Sequence, residues 1–220
     1  MSKQKPVPGT GGEHYIPYEE RSGEKSTVYF TRDLSAEGLR KIFGRVKETI
    51  TGNVGIKLHT GEAHGPNIIP RPWVKNLIEK DLPGAAVVET NSYYEGDRYT
   101  TEQHRKTLEI NGWNFCPVDI MDGEGTAAEP VVTPNIGILA SRDILAVDQA
   151  SVDLVYALKE EDRHALTERI ESRHGLRQLT YMKELHMGND RYHLIDIDRE
   201  DKEISPEEAV KGVVPFKEEK

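Results

Sequence analysis

The chain has 220 residues, of which 36% are hydrophobic and 30% are charged, and its formal net charge at pH 7 is −9. A chain of this length can bury a sizeable core, and its recurring hydrophobic segments argue against wholesale disorder. The acidic balance argues against broad nucleic-acid binding, because phosphate contacts require a basic surface. No apolar stretch approaches the roughly 20 residues of a membrane-spanning helix, so we expect no membrane partner.

Cys116 is the only cysteine in the chain. One thiol excludes an internal disulfide, and it also excludes an iron–sulfur cluster held by this chain alone, which requires several thiolates. Cys116 lies in an apolar segment, so we expect an unreactive core residue. Low cysteine usage is typical of a reducing compartment, and we expect a cytoplasmic protein.

The N-terminal half shows alternating strand and helix patterns. Proline and glycine recur without periodicity in residues 1–26, which predicts a flexible leader. Strands are predicted at 27–31, 53–58, 85–88 and 115–120. Helices are predicted to begin after Ser35, at Arg71 and at Thr100, where Ser35 is a capping residue and Thr100 begins a capping box. This alternation is typical of a parallel sheet with helices on its faces.

The C-terminal half is richer in helices. A Gly-, Ala-, Glu- and Pro-rich linker is predicted at 123–134 and a short strand at 136–140. Asp143 is predicted to cap a long helix whose Asp148 and Asp153 we place on the solvated face. Helices near 163–172 and 176–187, a strand at 192–197 and a short helix from Ser205 in an acidic tail (199–220) complete the prediction. We expect one α/β domain over 27–198, with a mostly parallel sheet flanked by helices and a helical C-terminal part.

Two polar loops follow the second and third predicted strands. In a parallel sheet, ligands bind beyond the carboxyl ends of the strands, so the two loops should open at one shared edge. Imidazole and carboxylate groups are common ligands of zinc, nickel and iron, so a divalent metal ion is one expectation. The candidate metal ligands are His59, Glu62 and His104. His59 and His104 could alternatively carry protons near neutral pH.

The same loops could bind a small anionic molecule. Arg98 and the start of the helix at Thr100 both suit a carboxylate or a phosphate. The candidate ligand-binding residues are Thr60, Asn91, Tyr94, Arg98 and Thr101. None of the spacings is diagnostic, because the chain contains no HExxH, CxxC, Walker or GxGxxG motif.

Structural roles compete with these functional ones. His59 could cap a strand end, and His64, beside Gly65, is better explained as a solvated turn residue. His104 could be a half-buried structural residue of its amphipathic helix. Arg98 could pair with Asp97 or Glu95, and such exposed pairs contribute only about 0–1 kcal/mol.

Several segments form a combined pattern, namely 28–33, 54–62, 71–72, 90–91, Tyr94, Gly96, Arg98, 100–101, His104, 117–122, 136–156 and 169–195. Together they resemble the domain of unknown function 362 family over about residues 27–197. The family is bacterial and archaeal, is often associated with iron–sulfur proteins and has no securely assigned reaction.

One departure from the family is large. Family members carry a sizeable middle segment, often with a cysteine cluster, between the family-like halves 27–122 and 135–197. Here 123–134 joins the halves almost directly, so the iron–sulfur association does not carry over and no cluster is expected in this chain.

Three functions are consistent with these observations. The first is an enzyme-like site that binds a metal ion or a small anion at the two loops. The second is a non-catalytic binding or assembly module, in which unpaired sheet edges favour a homodimer. The third is a degenerate family member without activity.

Overall fold

The computed structural model describes residues 14–65, 68–92, 94–121 and 133–214, and the chain divides into two compact units. Unit 1 comprises Met1–Phe30 and Val132–Lys220, and unit 2 comprises Thr31–Val131. Two predicted segments lie partly outside the described residues. These are residues 123–132 of the linker predicted at 123–134 and residues 1–13 of the leader predicted at 1–26.

Strands and helices occur in both units, and the α/β class is confirmed. Short 3-10 helices at Tyr18–Glu20 and Lys47–Thr49 supplement the main elements. The strands are β1 (Lys25–Thr31), β2 (Gly55–Lys57), β3 (Ala86–Thr90), β4 (Val118–Met121), β5 (Ile138–Ala140), β6 (Arg191–Asp196) and β7 (Lys202–Ile204). The helices are α1 (Ala36–Phe43), α2 (Arg71–Asp81), α3 (Thr101–Ile110), α4 (Ile144–Ala157), α5 (Glu160–Ser172), α6 (Leu176–Glu184) and α7 (Pro206–Val210).

Unit 2 contains a parallel sheet in the order β2-β3-β4. Helices α2 and α3 bury apolar side chains in the core beside the sheet, because their apolar residues recur at helical spacing. The buried core of this unit is Val74, Ile78, Ala85, Val87, Leu108 and Trp113. Ile56 of β2 is in register with Val87 of β3, so the carboxyl ends of these two strands lie side by side. The loops after them therefore begin at the same edge, as the sequence predicts.

Unit 1 contains a sheet in the order β5-β1-β6-β7. Strand β1 pairs with β6 in parallel, and β6 pairs with β7 in antiparallel orientation. Helix α4 contributes Ala146, Ala150 and Leu154 to the core formed with β1 and β6. A second group of buried apolar residues joins α4 to α6 and consists of Leu145, Leu176, Leu179 and Met182.

Part of the predicted leader is packed in unit 1. Tyr18 packs against the core and donates a hydrogen bond to the backbone oxygen of Tyr192 at 3.0 Å. Arg21 is buried and forms an ion pair with Asp153 of α4. Asp153 is 0% exposed, so its predicted place on the solvated face of the helix is wrong. The burial of Asp153 could not be predicted from the sequence, because its partner Arg21 lies 132 residues away in the chain.

The strands belong to two sheets rather than to one, because β1 pairs with β6 near the end of the chain instead of with β2. Strand β7 lies within the predicted acidic tail and was not foreseen. The predicted caps at Ser35, Thr100, Asp143 and Ser205 are confirmed, since each side chain accepts a hydrogen bond from a backbone N–H of its helix. In the described part of the chain, no helix is both long and apolar enough to cross a bilayer.

Candidate functional site

Glu89 lies at the centre of a group of polar side chains in unit 2. Burial alternates along β3, and Glu89 shares the buried face of the strand with Val87. Only 3% of Glu89 is exposed, so its carboxylate requires partners inside the protein. Those partners come from the loop after β2, the loop after β3 and helix α3. We call the group the Glu89 cluster, and it consists of His59, Thr60, Glu62, Glu89, Asn91, Tyr94, Arg98 and His104.

His59 is the imidazole of the cluster that reaches the surface. Its Nδ1 atom lies 3.2 Å from Oε1 of Glu89, and 52% of the side chain is exposed. The buried carboxylate accepts the Nδ1 proton in this arrangement, which fixes the orientation of the ring. His59 therefore has one buried partner and one exposed ring edge.

Thr60, which follows His59 in the chain, is held by hydrogen bonds on its backbone and its side chain. Its backbone N–H donates to Oε2 of Glu89 at 2.9 Å, and its hydroxyl donates to the same oxygen. Its carbonyl oxygen accepts from Nε1 of Trp113 at 2.9 Å and from Nδ2 of Asn111 at 3.1 Å. Thr60 is 0% exposed, so these contacts are shielded from water.

Asn111 holds the loop that follows Thr60. Its side-chain N–H groups also donate to the carbonyl oxygens of Gly61 and Glu62, at 3.3 and 2.9 Å. Its Oδ1 atom accepts from the backbone N–H of His64 at 3.1 Å. A single buried amide at the end of α3 therefore fixes the path of residues 60–64.

Arg98 joins the two carboxylates of the cluster. Its Nη1 donates to Oε1 of Glu89 at 2.9 Å, while Nε and Nη2 donate to Oε1 of Glu62 at 2.9 and 2.6 Å. The hydroxyl of Tyr94 donates to the same Glu62 oxygen at 2.7 Å. Arg98 therefore pairs with Glu62 and Glu89. The exposed pair with Asp97 or Glu95, which the sequence offered as a structural role for Arg98, is not among the ion pairs that the described residues form.

His104 is fully buried in the cluster. Its Nδ1 lies 3.1 Å from Oδ1 of Asn91, and its Nε2 lies 3.2 Å from Oγ1 of Thr60 and 3.4 Å from Oε2 of Glu89. Nδ2 of Asn91 donates to Oγ1 of Thr101 at 3.0 Å, which orients the amide. Both ring nitrogens of His104 are thus occupied within the protein.

Thr60, His104 and Asn91 have the order of a nucleophile, a base and an orienting group. Two observations assign them a structural role instead. The Thr60 hydroxyl donates to Glu89 rather than to His104. Thr60 and His104 are also 0% exposed, so a substrate cannot reach either side chain.

The carboxylates of the cluster are held in the charged form. Burial alone would raise the pKa of Glu89, but hydrogen bonds from His104, His59 and Thr60 lower it well below its usual range. Burial would likewise raise the pKa of Glu62, and hydrogen bonds from Arg98 and Tyr94, with the nearby charge of Arg98, lower it. The hydrogen bond to Glu62 raises the pKa of Tyr94, which keeps the phenol protonated.

The structure brings the predicted site residues together. Among the predicted metal ligands, His59 and Glu62 reach the surface, whereas His104 is enclosed. Over the residues that the structure describes, no three His, Cys, Asp or Glu side chains are grouped so that they could hold a metal ion. The predicted ligand-binding residues Thr60, Asn91, Tyr94, Arg98 and Thr101 form hydrogen bonds within or beside the cluster.

Sequence reasoning overlooked Glu89, Asn111 and Trp113. Glu89 carries one usable signal, because it is a charged residue on the same strand face as the apolar Val87. Asn111 carries none, since its partners lie 47 to 51 residues away in the chain.

Comparisons of the chain with family models, with curated proteins and with solved structures found no match.

Proposed function

We propose that unit 2 carries an acid–base site, in which His59 exchanges a proton with a small molecule and Glu89 orients the imidazole. The observation that carries this proposal is the 3.2 Å contact between Nδ1 of His59 and the buried Glu89 carboxylate, formed by an imidazole that remains half exposed. A carboxylate behind an imidazole fixes its tautomer and steers the other nitrogen outward.

In this proposal, Nε2 of His59 is the atom that exchanges the proton. Because Nδ1 faces the carboxylate, Nε2 is the atom left to accept or donate a proton. Within the described ranges, the His59 side chain forms one hydrogen bond, which is the bond to Glu89. Glu89 stays ionised near neutral pH, so a carboxylate faces Nδ1 while Nε2 exchanges its proton.

Glu62 and Tyr94 complete the accessible side of the cluster. The Glu62 side chain is 36% exposed, and His59 is near enough for its charge to contribute to lowering the pKa of Glu62. Arg98 is 8% exposed, and its guanidinium is already bonded to two carboxylates. These charges favour a neutral or cationic substrate over the small anion that the sequence suggested.

Proton transfer can be tested before the substrate is known. A panel of small carbonyl compounds in D2O is followed by 1H NMR, which detects exchange of C–H protons for deuterium. His59→Ala should slow exchange of a responsive compound by about 10²–10⁴-fold, the usual contribution of a positioned acid or base. His64→Asn is the matched control, because His64 is exposed, and asparagine tolerates its positive φ of 58°.

The outcome that contradicts the proposal is equally clear. If no compound in the panel exchanges faster with the native protein than with His59→Ala, the acid–base assignment is wrong for this class of substrate. Equal losses in His59→Ala and His64→Asn would also reject His59 as the proton carrier.

A divalent metal ion is the second candidate ligand of this site. A metal-binding histidine usually donates its other ring N–H to a carboxylate, which is the arrangement of His59 and Glu89. His59 and Glu62 would supply the protein ligands, and water would complete the coordination. Metal analysis of protein purified without a histidine tag tests this, because His59→Ala and Glu62→Gln should each abolish stoichiometric metal. Unchanged metal in His59→Ala rules His59 out as a ligand.

We also propose membership in the domain of unknown function 362 family, on the sequence segments given above. Residues that carry the resemblance, among them Glu62, Asn91, Tyr94, Arg98 and His104, lie together in the Glu89 cluster. This convergence supports the proposal, because residues of a shared site are those that a family retains. The test is sequence-based, since close relatives with the intact middle segment should carry the same five residues.

A further inference from the structure

Unit 1 contains a cleft that is separate from the Glu89 cluster. The cleft encloses about 150 Å³, and cavities of about that size can hold a molecule as large as benzene. Its apolar lining includes Leu176 and Leu179 of α6 together with the ring of Tyr15, which stacks on Tyr156 with centroids 3.9 Å apart. Its polar lining includes Gln149 of α4 and Arg21, whose guanidinium lies 5.7 Å from the centre of the Tyr15 ring.

The charges that line the cleft are already paired. Both terminal nitrogens of Arg21 donate to the carboxylate of Asp153, and Nη2 also donates to the carbonyl oxygen of Ile16 at 2.5 Å. Nζ of Lys183 lies 2.6 Å from Oδ2 of Asp190. A charged ligand would therefore find no free counter-charge among these four side chains, and a neutral ligand fits better.

Gln149 supplies an acceptor that no described residue uses. Its Nε2 donates to Oδ1 of Asp153 at 3.1 Å, which leaves the carbonyl oxygen Oε1 of the amide. Across the described ranges, no donor reaches Oε1, although Gln149 is only 7% exposed. A buried carbonyl without a donor is unfavourable, and a ligand that donates to it relieves that cost.

We propose that this cleft binds a small neutral molecule with an apolar, ring-sized body and one O–H or N–H donor, of the phenol class. The body would pack against Tyr15, Leu176 and Leu179, while the donor bonds to Oε1 of Gln149. Apolar walls with one or two placed polar groups are typical of small-molecule sites. This site does not depend on the acid–base function of unit 2.

Ligand chemistry is tested with three probes on the full 15N-labelled chain by two-dimensional NMR. Phenol should cause saturable shifts at Tyr15, Gln149 and Leu179. Toluene has the same shape without the donor and should bind about tenfold more weakly, because Oε1 stays unpaired. Benzoate carries a charge and should cause no saturable shift. Equal binding of phenol and toluene, or no saturable shift with phenol, would overturn the proposal.

The location is tested with two variants of α6. Thr180 is exposed at the rim of the cleft, so Thr180→Trp should weaken phenol binding at least about tenfold by filling the entrance. Gln178→Trp is the control, because Gln178 is exposed on the same helix and does not line the cleft. Gln149→Met should bring phenol and toluene to equal affinity. Undiminished phenol binding by Thr180→Trp would place the ligand elsewhere and reject the assignment.

Discussion

Nδ1 of His59 lies 3.2 Å from Oε1 of Glu89, although 30 residues separate them in the chain. The contact follows from the parallel pairing of β2 with β3, which brings the ends of both strands to one edge of the sheet. It joins a buried carboxylate to an exposed imidazole and is the basis of the proposed acid–base site. The stability of unit 2 should therefore depend on Glu89.

Glu89→Gln should destabilise unit 2 by about 3–5 kcal/mol, because it removes one partner of a buried ion pair and leaves Arg98 with Glu62 alone. The measurement is urea unfolding followed by tryptophan fluorescence. Trp73 and Trp113 are the two tryptophans of the chain and both belong to unit 2, so fluorescence reports on this unit. A loss below about 1 kcal/mol would show that the carboxylate is not needed for stability.

Acid should destabilise unit 2 through the same residue. In the unfolded chain, Glu89 takes up a proton near its ordinary pKa of about 4.5, whereas the folded state holds its pKa well below that range. The unfolded state therefore binds more protons as the pH falls below about 4.5, and the stabilisation by Glu89 is lost progressively from there towards the lower pKa of the folded state. The acid-dependent loss of stability should be smaller in Glu89→Gln, and equal pH dependence in both proteins would contradict this.

Asn111 should control the order of the loop at 60–64. Asn111→Ala removes the donor to three backbone carbonyls and should cost about 1–3 kcal/mol. Asn111→Asp should be worse at neutral pH, because a carboxylate would face the same three carbonyl oxygens. Hydrogen-exchange mass spectrometry should show faster exchange at 60–64 in both variants. Retained protection there would mean that the bonds of Thr60 to Trp113 and Glu89 are sufficient to hold the loop.

The ion pair of Arg21 with Asp153 should be the strongest stabilising contact of the N-terminal segment. Asp153 is 0% exposed, so Arg21→Met leaves a buried carboxylate without its counter-charge and should cost about 3–5 kcal/mol. Hydrogen exchange should rise in peptides from residues 14–24 and from α4. Lys183→Met is the matched control, since this lysine is 53% exposed and its pair should contribute less than about 1 kcal/mol. Similar effects of both variants would disprove the special role of Arg21.

Cys116 should react slowly with thiol reagents. Burial raises the pKa of its thiol, which leaves less thiolate near neutral pH than a free cysteine has. Because the chain has one cysteine, the mass shift after iodoacetamide treatment reports on this residue alone. Alkylation should be slower than that of glutathione in the folded protein and should match it in urea. A faster rate in the folded state would indicate an activated thiol.

Local signals in the sequence were sufficient for much of the fold. A capping residue bonds to atoms three positions away, so Ser35 and Asp143 could be identified from spacing alone. The shared edge of the two loops also followed from strand–helix alternation, since parallel neighbours end together. The pairing of β1 with β6 could not be predicted in this way, because nothing in either segment specifies a partner so distant in the chain.

The candidate site was predicted only in part for the same reason. His59, Glu62 and Arg98 stood out because loops after parallel strands collect ionisable residues. The predicted third strand ended at residue 88, which placed Glu89 in the polar loop, whereas Glu89 lies on the buried face of β3. The predicted homodimer and cytoplasmic location stay predictions.

Thr60 is bonded at its backbone nitrogen, its hydroxyl and its carbonyl oxygen, and it directly follows His59 in the chain. The peptide group that carries the imidazole is therefore already immobile before any molecule arrives. In the proposed acid–base site, a reaction partner would meet a ring that is already oriented, so little of the favourable free energy of association would be lost in ordering the protein. Even a small, weakly held molecule could then be brought to Nε2 in a productive orientation.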